Sequence, residues 1–180
     1  MSHMRLTFAW KKSLLFDVGQ SGQVLAIAPP VLKHLQKYQQ KRANALEAGG
    51  QLLARLSLEE VVIEKATGPR PSDFRARALY VPDRLTEQLE IDHSHKKGLH
   101  YVGDWHTHPE TRPLPSGSDR ESIRESFIRS THSLRGFLLV IVGTAEFPLG
   151  LYVALNNADH ELVLAPRLCP TGREKQHRTI

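Results

Sequence analysis

Cysteine and long apolar runs are scarce in this 180-residue chain. Cys169 is the single cysteine, so no intramolecular disulfide can form, and the thiolate zinc sites that need several cysteines are excluded. The longest apolar run is the six-residue stretch Phe137–Val142, whereas a membrane-spanning helix needs about 18 residues. No charged-then-apolar leader opens the sequence. We therefore expect a cytoplasmic protein without a membrane span, in which histidines and carboxylates hold any bound metal.

The composition is otherwise that of an ordinary globular domain. Hydrophobic residues make up 40% and charged residues 24% of the chain, whose 180 residues are the length of one domain. The formal net charge is +5, but the basic residues are spread out and do not alternate with aromatic side chains as on a base-stacking surface. Nucleic-acid binding is therefore not expected. Histidine is the unusual residue, with ten in the chain.

We divide the chain into three parts. Residues 1–4 have the sequence of a cloning remnant, residues 5–165 form one domain, and residues 166–180 form a basic, loose tail. Strand-like and helix-like segments are mixed without strict β-α-β alternation. This pattern predicts an α+β fold in which helices flank one curved mixed β-sheet.

Apolar periodicity and turn residues place the elements. The predicted strands are residues 5–10, 24–28, 50–58, 61–65, 75–81, 99–105, 136–142, 150–154 and 162–164. The predicted helices are residues 29–42, 82–98 and 118–130. In the second helix, Leu85 and Leu89 are four residues apart and are expected to face the core.

The chemically informative segment is GDWHTHP at residues 103–109. His106 and His108 lie two residues apart at the end of a predicted strand, so both imidazoles face the same side. Trp105 and Thr107 are expected to point the opposite way. Two imidazoles on one side of a strand can bind a single Zn²⁺.

Asp119 is the expected third ligand. The loop between the histidines and Asp119 contains three prolines and is stiff enough to return the chain to the metal. Ser118 and Glu121 have the spacing of a capping box, which places Asp119 at the first helical position, where the helix dipole favours an ionised carboxylate. Two histidines and one carboxylate leave a fourth coordination position open, as in catalytic zinc sites.

Other histidines and carboxylates are weaker candidates. His93 and His95 have the same spacing as the informative pair, but they lie in a predicted helix, where residues two apart point to different sides. Asp104 is interpreted as a hydrogen-bonded carboxylate near the strand end rather than a ligand. Zinc hydrolysis also needs a general base, and spacing alone leaves Glu47, Asp104 and Glu110 open as candidates.

The spacing of these residues resembles that of the JAMM/MPN+ metallopeptidases. Their signature is a glutamate, a variable gap, His-Ser/Thr-His, seven residues, a serine, two residues and an aspartate. This chain fills the signature with Glu47, His106-Thr107-His108, Ser116 and Asp119. The segment EAGGQLL at residues 47–53 is also similar to the first strand of that family. The resemblance covers roughly residues 24–155 and implies a single MPN/JAB-like domain.

The resemblance implies a role for each signature residue. His106, His108 and Asp119 would bind one Zn²⁺ per chain. Glu47 would take a proton from the attacking water and pass it to the leaving amine, and Ser116 would donate a hydrogen bond to the oxyanion. The substrate would be a protein with an extended C-terminal tail that pairs with a strand of the enzyme.

Within the family, the segment YVGDWHTHPE at 101–110, followed by SGSD, resembles a bacterial group. Its members are encoded in CBASS anti-phage operons and integrative elements, beside ubiquitin-activating and ubiquitin-conjugating-like enzymes. This resemblance implies that the peptidase opposes the conjugating enzyme by cleaving at the C terminus of a conjugated cyclic-oligonucleotide synthase. Specificity would depend on the loops at residues 67–74 and 109–115.

Other functions stay open at this point. The same reaction could release a bacterial ubiquitin-like modifier, or act in a sulphur-carrier pathway. Some proteins with this fold have lost their ligands and serve as non-catalytic scaffolds. The DNA-associated RadC-like relatives share a His-x-His and a downstream aspartate, but they usually carry His-Asn-His-Pro-Ser-Gly, which this chain lacks.

Overall fold

The computed structural model describes residues 12–167, which form ten strands and three helices. The strands are β1 (Leu14–Asp17), β2 (Val24–Ile27), β3 (Gly49–Leu56), β4 (Glu60–Ala66), β5 (Phe74–Ala76), β6 (Leu79–Val81), β7 (His100–Thr107), β8 (Phe137–Val142), β9 (Leu151–Asn156) and β10 (Glu161–Val163). The helices are α1 (Pro29–Lys37), α2 (Arg84–His95) and α3 (Gly117–Arg129). The predicted strand at residues 5–10, the remnant at 1–4, Cys169 and the predicted tail beyond residue 167 lie outside the described residues.

Eight of these strands form one mixed sheet in the order β1-β2-β4-β3-β7-β8-β9-β10. The β2–β4 and β7–β8 pairs are parallel, and the other neighbours are antiparallel. A bridge joins Phe16 in one edge strand to Pro166, which follows the opposite edge strand. The sheet therefore curls until its two edges meet, and the predicted α+β fold with a curved mixed sheet is confirmed.

Helices cover both faces of the sheet. On one face, Leu32 and Leu35 of α1 belong to a large apolar cluster, and on the other Ile123 of α3 packs with Phe137. All six residues of β8 are buried, as expected for a strand covered on both faces. Each fully buried side chain of this size contributes roughly 1.5–3 kcal/mol to stability.

The inward face of α2 differs from the prediction. Leu85 and Leu89 are 74% and 60% exposed, so the expectation that they face the core is wrong. The buried side chains of α2 are Glu87 and Ser94. This helix packs through a polar face because it covers a buried arginine, Arg70, so apolar periodicity indicates the wrong side.

Three elements also differ from the prediction. The single strand expected at residues 75–81 is a hairpin of two short strands, β5 and β6. The helix expected at residues 29–42 ends at Lys37, and the Gln39 side-chain amide beyond it donates a hydrogen bond of 2.8 Å to the Gly143 carbonyl. Strand β1 was not predicted, although β2, which is equally short, was.

Candidate metal centre

The three predicted ligands converge at one end of β7. His106 lies within the strand, His108 directly follows it, and Asp119 lies in the first turn of α3. Each offers a ligand atom, and these atoms all lie within 4.8 Å of one another. They form the one group of three or more potential ligands found within residues 12–167.

The spacing of the ligand atoms suits a small tetrahedral ion. The Nε2 atoms of His106 and His108 are 3.1 Å apart. The carboxylate of Asp119 lies 3.3 Å from Nε2 of His106 and 3.5 Å from Nε2 of His108. Four ligands at about 2.0–2.1 Å from a tetrahedral Zn²⁺ lie about 3.3–3.4 Å from one another. The residues present therefore fit zinc in both donor type and spacing.

Asp119 is held in place by the start of its own helix. Ser116, not Ser118, is the N-cap: its Oγ accepts from the Asp119 backbone N–H (3.2 Å), and the Asp119 carboxylate accepts from the Ser116 N–H (2.6 Å). The predicted Ser118–Glu121 capping box is therefore wrong, and Asp119 is the third helical residue. Ser-x-x-acid occurs twice in this segment, and in the first copy the carboxylate can reach both the cap and the two imidazoles.

Burial and neighbouring groups favour the metal-binding forms of Asp119 and His108. Burial opposes ionisation of Asp119, but the hydrogen bonds and charge of His106 and the bonds from Ser116 outweigh it and hold the pKa of Asp119 well below its usual value. Burial, followed by repulsion from His106, lowers the pKa of His108. An ionised carboxylate and a neutral imidazole are the forms that bind metals.

The two side chains that alternate with the histidines anchor β7 on the face opposite the ligand group. Trp105 and Thr107 are 1% and 0% exposed, and the prediction that they point away from the histidines is confirmed. The Trp105 indole donates to the Thr67 carbonyl (2.9 Å). The Thr107 hydroxyl accepts from the Ala48 N–H (3.0 Å) and donates to the Gln40 side chain (3.0 Å). These buried bonds fix the strand that carries the ligands.

Sheet register brings Glu47 to the ligand group. β3 runs antiparallel to β7 with Gly49 opposite His106, so the residue two positions before Gly49 comes beside the end of β7. Glu47, His106 and Asp119 line one cleft of about 130 Å³. Burial raises the pKa of Glu47, the neighbouring His106 lowers it, and Asp119 raises it further. Glu47 is therefore a partly buried carboxylate with a raised pKa that shares the cleft with His106 and Asp119.

The glycines after Glu47 permit this close approach. A Cβ at Gly49 would lie 2.5 Å from the Tyr80 ring and 2.9 Å from the Trp105 carbonyl oxygen. A Cβ at Gly50 would collide with the Thr67 carbonyl. Only glycine fits where the start of β3 is enclosed on both sides.

A buried ionic cluster beside the cleft was not predicted. The Arg70 guanidinium, 7% exposed, pairs with Asp73 and Glu87 at 3.6 Å and more closely with Glu90. The Tyr80 hydroxyl donates to Asp73 (2.9 Å). The sequence feature that could have indicated this cluster is the pair Glu87 and Glu90, which lie three residues apart and so share one face of α2.

Asp104 lies outside the three-residue ligand group. It is half-buried; burial raises its pKa to about 6, while a hydrogen bond with Tyr101 lowers it. This agrees with its interpretation as a hydrogen-bonded carboxylate near the strand end.

His93 and His95 are exposed on α2. None of the helices described within residues 12–167 has the length and apolar character of a membrane span.

Comparison with known proteins places this geometry in a family context. Residues 31–154 match the family described as prokaryotic homologs of the JAB domain. A CD-NTase/cGAS isopeptidase of Vibrio cholerae is 31% identical over 134 residues, which cover 73% of this chain and 83% of the relative. A Pseudomonas aeruginosa protein of the same name is 30% identical, covering 67% of this chain and 77% of the relative.

Two further similarities come from a curated protein and a solved structure. A probable metalloprotease of Sinorhizobium fredii is 35% identical over 112 residues, which cover 58% of this chain and 68% of that protein. The solution structure of a Desulfitobacterium hafniense protein aligns with a TM-score of 0.53 at 18% identity. The alignment covers 84% of this chain and 95% of the other, and it supports the fold alone.

Proposed function

Because the chain belongs to the family of prokaryotic homologs of the JAB domain, we propose that it is a zinc-dependent isopeptidase or peptidase that cleaves after the C-terminal tail of a protein. The observation that carries the proposal is the convergence of His106, His108 and Asp119 beside the carboxylate of Glu47. The donor set and its spacing suit zinc, and a carboxylate in the same cleft suits proton transfer. The names of the relatives, isopeptidase and metalloprotease, point the same way.

The proposed mechanism assigns one task to each group. Zinc, when bound, supplies Lewis-acid activation of water and of the scissile carbonyl. Glu47 accepts the proton of the attacking water and delivers it to the leaving amine, as its partly buried position allows. The Ser116 hydroxyl donates to the oxyanion, a contribution typically worth about 3 kcal/mol. As Ser116 is the N-cap, its backbone is fixed by the helix start.

The proposed substrate is a CD-NTase attached to another protein through its own C terminus. Several relatives carry the name CD-NTase/cGAS isopeptidase, and a CD-NTase is the cyclic-oligonucleotide synthase that the sequence resemblance implies. The enzyme would reverse the conjugation carried out by a ubiquitin-conjugating-like partner in the bacterial cytoplasm. The loops at residues 67–74 and 109–115 would set the specificity for the extended tail.

An exposed apolar surface next to the cleft supports a protein substrate. This surface, the hairpin–helix face, consists of Phe74, Leu79, Val81, Leu85 and Leu89, with exposures of 61%, 50%, 47%, 74% and 60%. Phe74 lies opposite Val81 in the β5–β6 hairpin, so both side chains are on its outward side. Tyr80 and Arg84, from the same two elements, line the cleft that contains His106. Several exposed large apolar side chains on two elements that line the cleft are typical of a protein-binding site.

Cleavage of a defined fusion tests the proposed function. A CD-NTase is joined through its C terminus to a fluorescent protein by a peptide bond, and release is followed on gels and by intact mass. We expect release after the last CD-NTase residue, loss of release after chelation, and recovery with one equivalent of Zn²⁺. Release that survives complete metal removal would contradict zinc dependence. No release with any divalent metal would contradict the peptidase assignment for this substrate.

Changes on the hairpin–helix face are expected to weaken substrate binding. The double substitution Leu85→Ser and Leu89→Ser should lower kcat/KM about tenfold or more, mainly through KM, because burying a leucine side chain typically contributes about 1.5–3 kcal/mol. Zinc content and thermal stability should not change, since both side chains are exposed. The matched control is Leu58→Ser, which alters a leucine that is 97% exposed in the β3–β4 turn. Equal effects of the two variants would reject the face as a substrate contact.

A further inference from the structure

The second imidazole nitrogen of His108 is buried without a hydrogen-bond partner. Nε2 of the same ring faces the ligand group, 3.1 Å from Nε2 of His106 and 3.5 Å from the Asp119 carboxylate. Nδ1 therefore points away from the group and carries the N–H in the neutral ring. A buried donor without an acceptor costs about 1–3 kcal/mol, and nothing in that arrangement holds the plane of the ring.

Glu110 carries the carboxylate that faces this nitrogen. Its Oε2 atom is 3.6 Å from Nδ1 of His108, beyond hydrogen-bond length, and a movement of about 0.7 Å would close the bond. The side chain is 57% exposed and is free to make that movement. The same carboxylate also accepts a long hydrogen bond of 3.4 Å from the Leu114 N–H.

The backbone beneath Glu110 is held firmly against the end of β8. The Thr144 N–H donates to the Glu110 carbonyl (2.8 Å), and the His108 N–H donates to the Val142 carbonyl (3.0 Å). Gly143 allows this approach, since a Cβ there would lie 2.6 Å from the Glu110 carbonyl oxygen. A carboxylate presented from a fixed backbone can orient a ligand more accurately than one on a free loop.

We propose that Glu110 is a positioning residue of the metal centre, whose carboxylate accepts the Nδ1–H of His108 and holds Nε2 towards the ion. Histidines that bind metals generally donate their other N–H to a carboxylate or carbonyl, and losing that partner typically weakens metal binding 10- to 100-fold. Glu110 does not line the cleft that contains Glu47 and His106. Its position therefore suits orientation of His108 rather than the general-base role that spacing left open.

Metal affinity measures this role without any substrate. The metal-free full chain is titrated with Zn²⁺ in competition with a chromophoric chelator. Glu110→Ala should weaken Zn²⁺ binding about 10- to 100-fold, and Glu110→Gln, which keeps an acceptor oxygen, should recover part of the loss. The unfolding temperature of the metal-free protein should not change, because the side chain is more than half exposed.

The matched control is Glu121→Ala. Glu121 is 60% exposed and lies two residues beyond Asp119, where it pairs with Arg124 at 3.5 Å. If this control weakens Zn²⁺ binding as much as Glu110→Ala does, general negative charge explains the effect and the proposal fails. Unchanged affinity in Glu110→Ala also overturns it, as does Glu110→Gln behaving like Glu110→Ala.

Nitrogen-15 NMR of the zinc-loaded protein gives a second readout that overall stability would not affect. We expect a slowly exchanging Nδ1–H resonance of His108 in the wild type and in Glu121→Ala, and fast exchange in Glu110→Ala. Identical exchange in all three proteins would contradict the hydrogen bond. Since both measurements use the metal alone, they stand even if no peptide or isopeptide substrate is cleaved.

Discussion

Glu47→Gln is expected to lower kcat/KM for tail cleavage by about a thousandfold while the bound metal is retained, because a general base typically contributes 10²–10⁴. Glutamine keeps the size of the side chain but cannot accept a proton. The backbone of Glu47 is fixed independently of its side chain. Its N–H donates a hydrogen bond to the Ala76 carbonyl (2.8 Å), and the Arg75 side chain donates one to the Glu47 carbonyl (2.7 Å). The substitution should therefore remove the proton acceptor without moving β3.

Steady-state kinetics on the CD-NTase fusion, with zinc measured in the same samples, test this expectation. Glu59→Gln is the control, since Glu59 is exposed in the β3–β4 turn at the other end of β3. Unchanged cleavage in Glu47→Gln would reject Glu47 as the base. Loss of zinc together with activity would show that the carboxylate supports the metal rather than the proton transfer.

His106→Ala should reduce zinc from about one ion per chain to less than about a tenth. His106 supplies the nitrogen that lies closest to both other ligands, at 3.1 Å from His108 and 3.3 Å from Asp119. Without it, one imidazole and one carboxylate remain, too few for a tight zinc site. Elemental analysis of purified protein after dialysis measures the change, and activity should fall with the metal.

His93→Ala is the matched control for the metal measurement. His93 and His95 repeat the His-x-His spacing, but they lie exposed on α2. We expect wild-type zinc content in this variant. If His93→Ala lost zinc and His106→Ala retained it, the metal would lie on α2 and the assigned centre would be wrong.

Short-range patterns predicted which side chains of β7 share a face. The period of two along β7 separates His106 and His108 from the buried Trp105 and Thr107, because alternate side chains of a strand face opposite sides. The Ser-x-x-acid pattern predicted a capped helix start near Asp119, although it selected the wrong serine. Such features depend on a few neighbouring residues, so they can be recognised without knowing the fold.

The orientation of α2 could not be predicted in this way. Leu85 and Leu89 are spaced like a buried stripe, yet they are exposed. Their orientation follows from Arg70, which lies far away in the sequence and whose buried charge requires the acidic side of the helix. Apolar periodicity carries no information about a distant charge that must be paired.

The sequence by itself determined which side chains can bind a metal and how they are spaced, and it fills every position of the JAMM/MPN+ signature. Tertiary structure alone decided which distant groups surround that metal centre. The antiparallel register of β3 against β7 brings Glu47 to the ligands, and the end of β8 holds Glu110 beside His108. The physical reason is that strand and helix periods act over a few residues, whereas contacts between distant strands depend on sheet order and register.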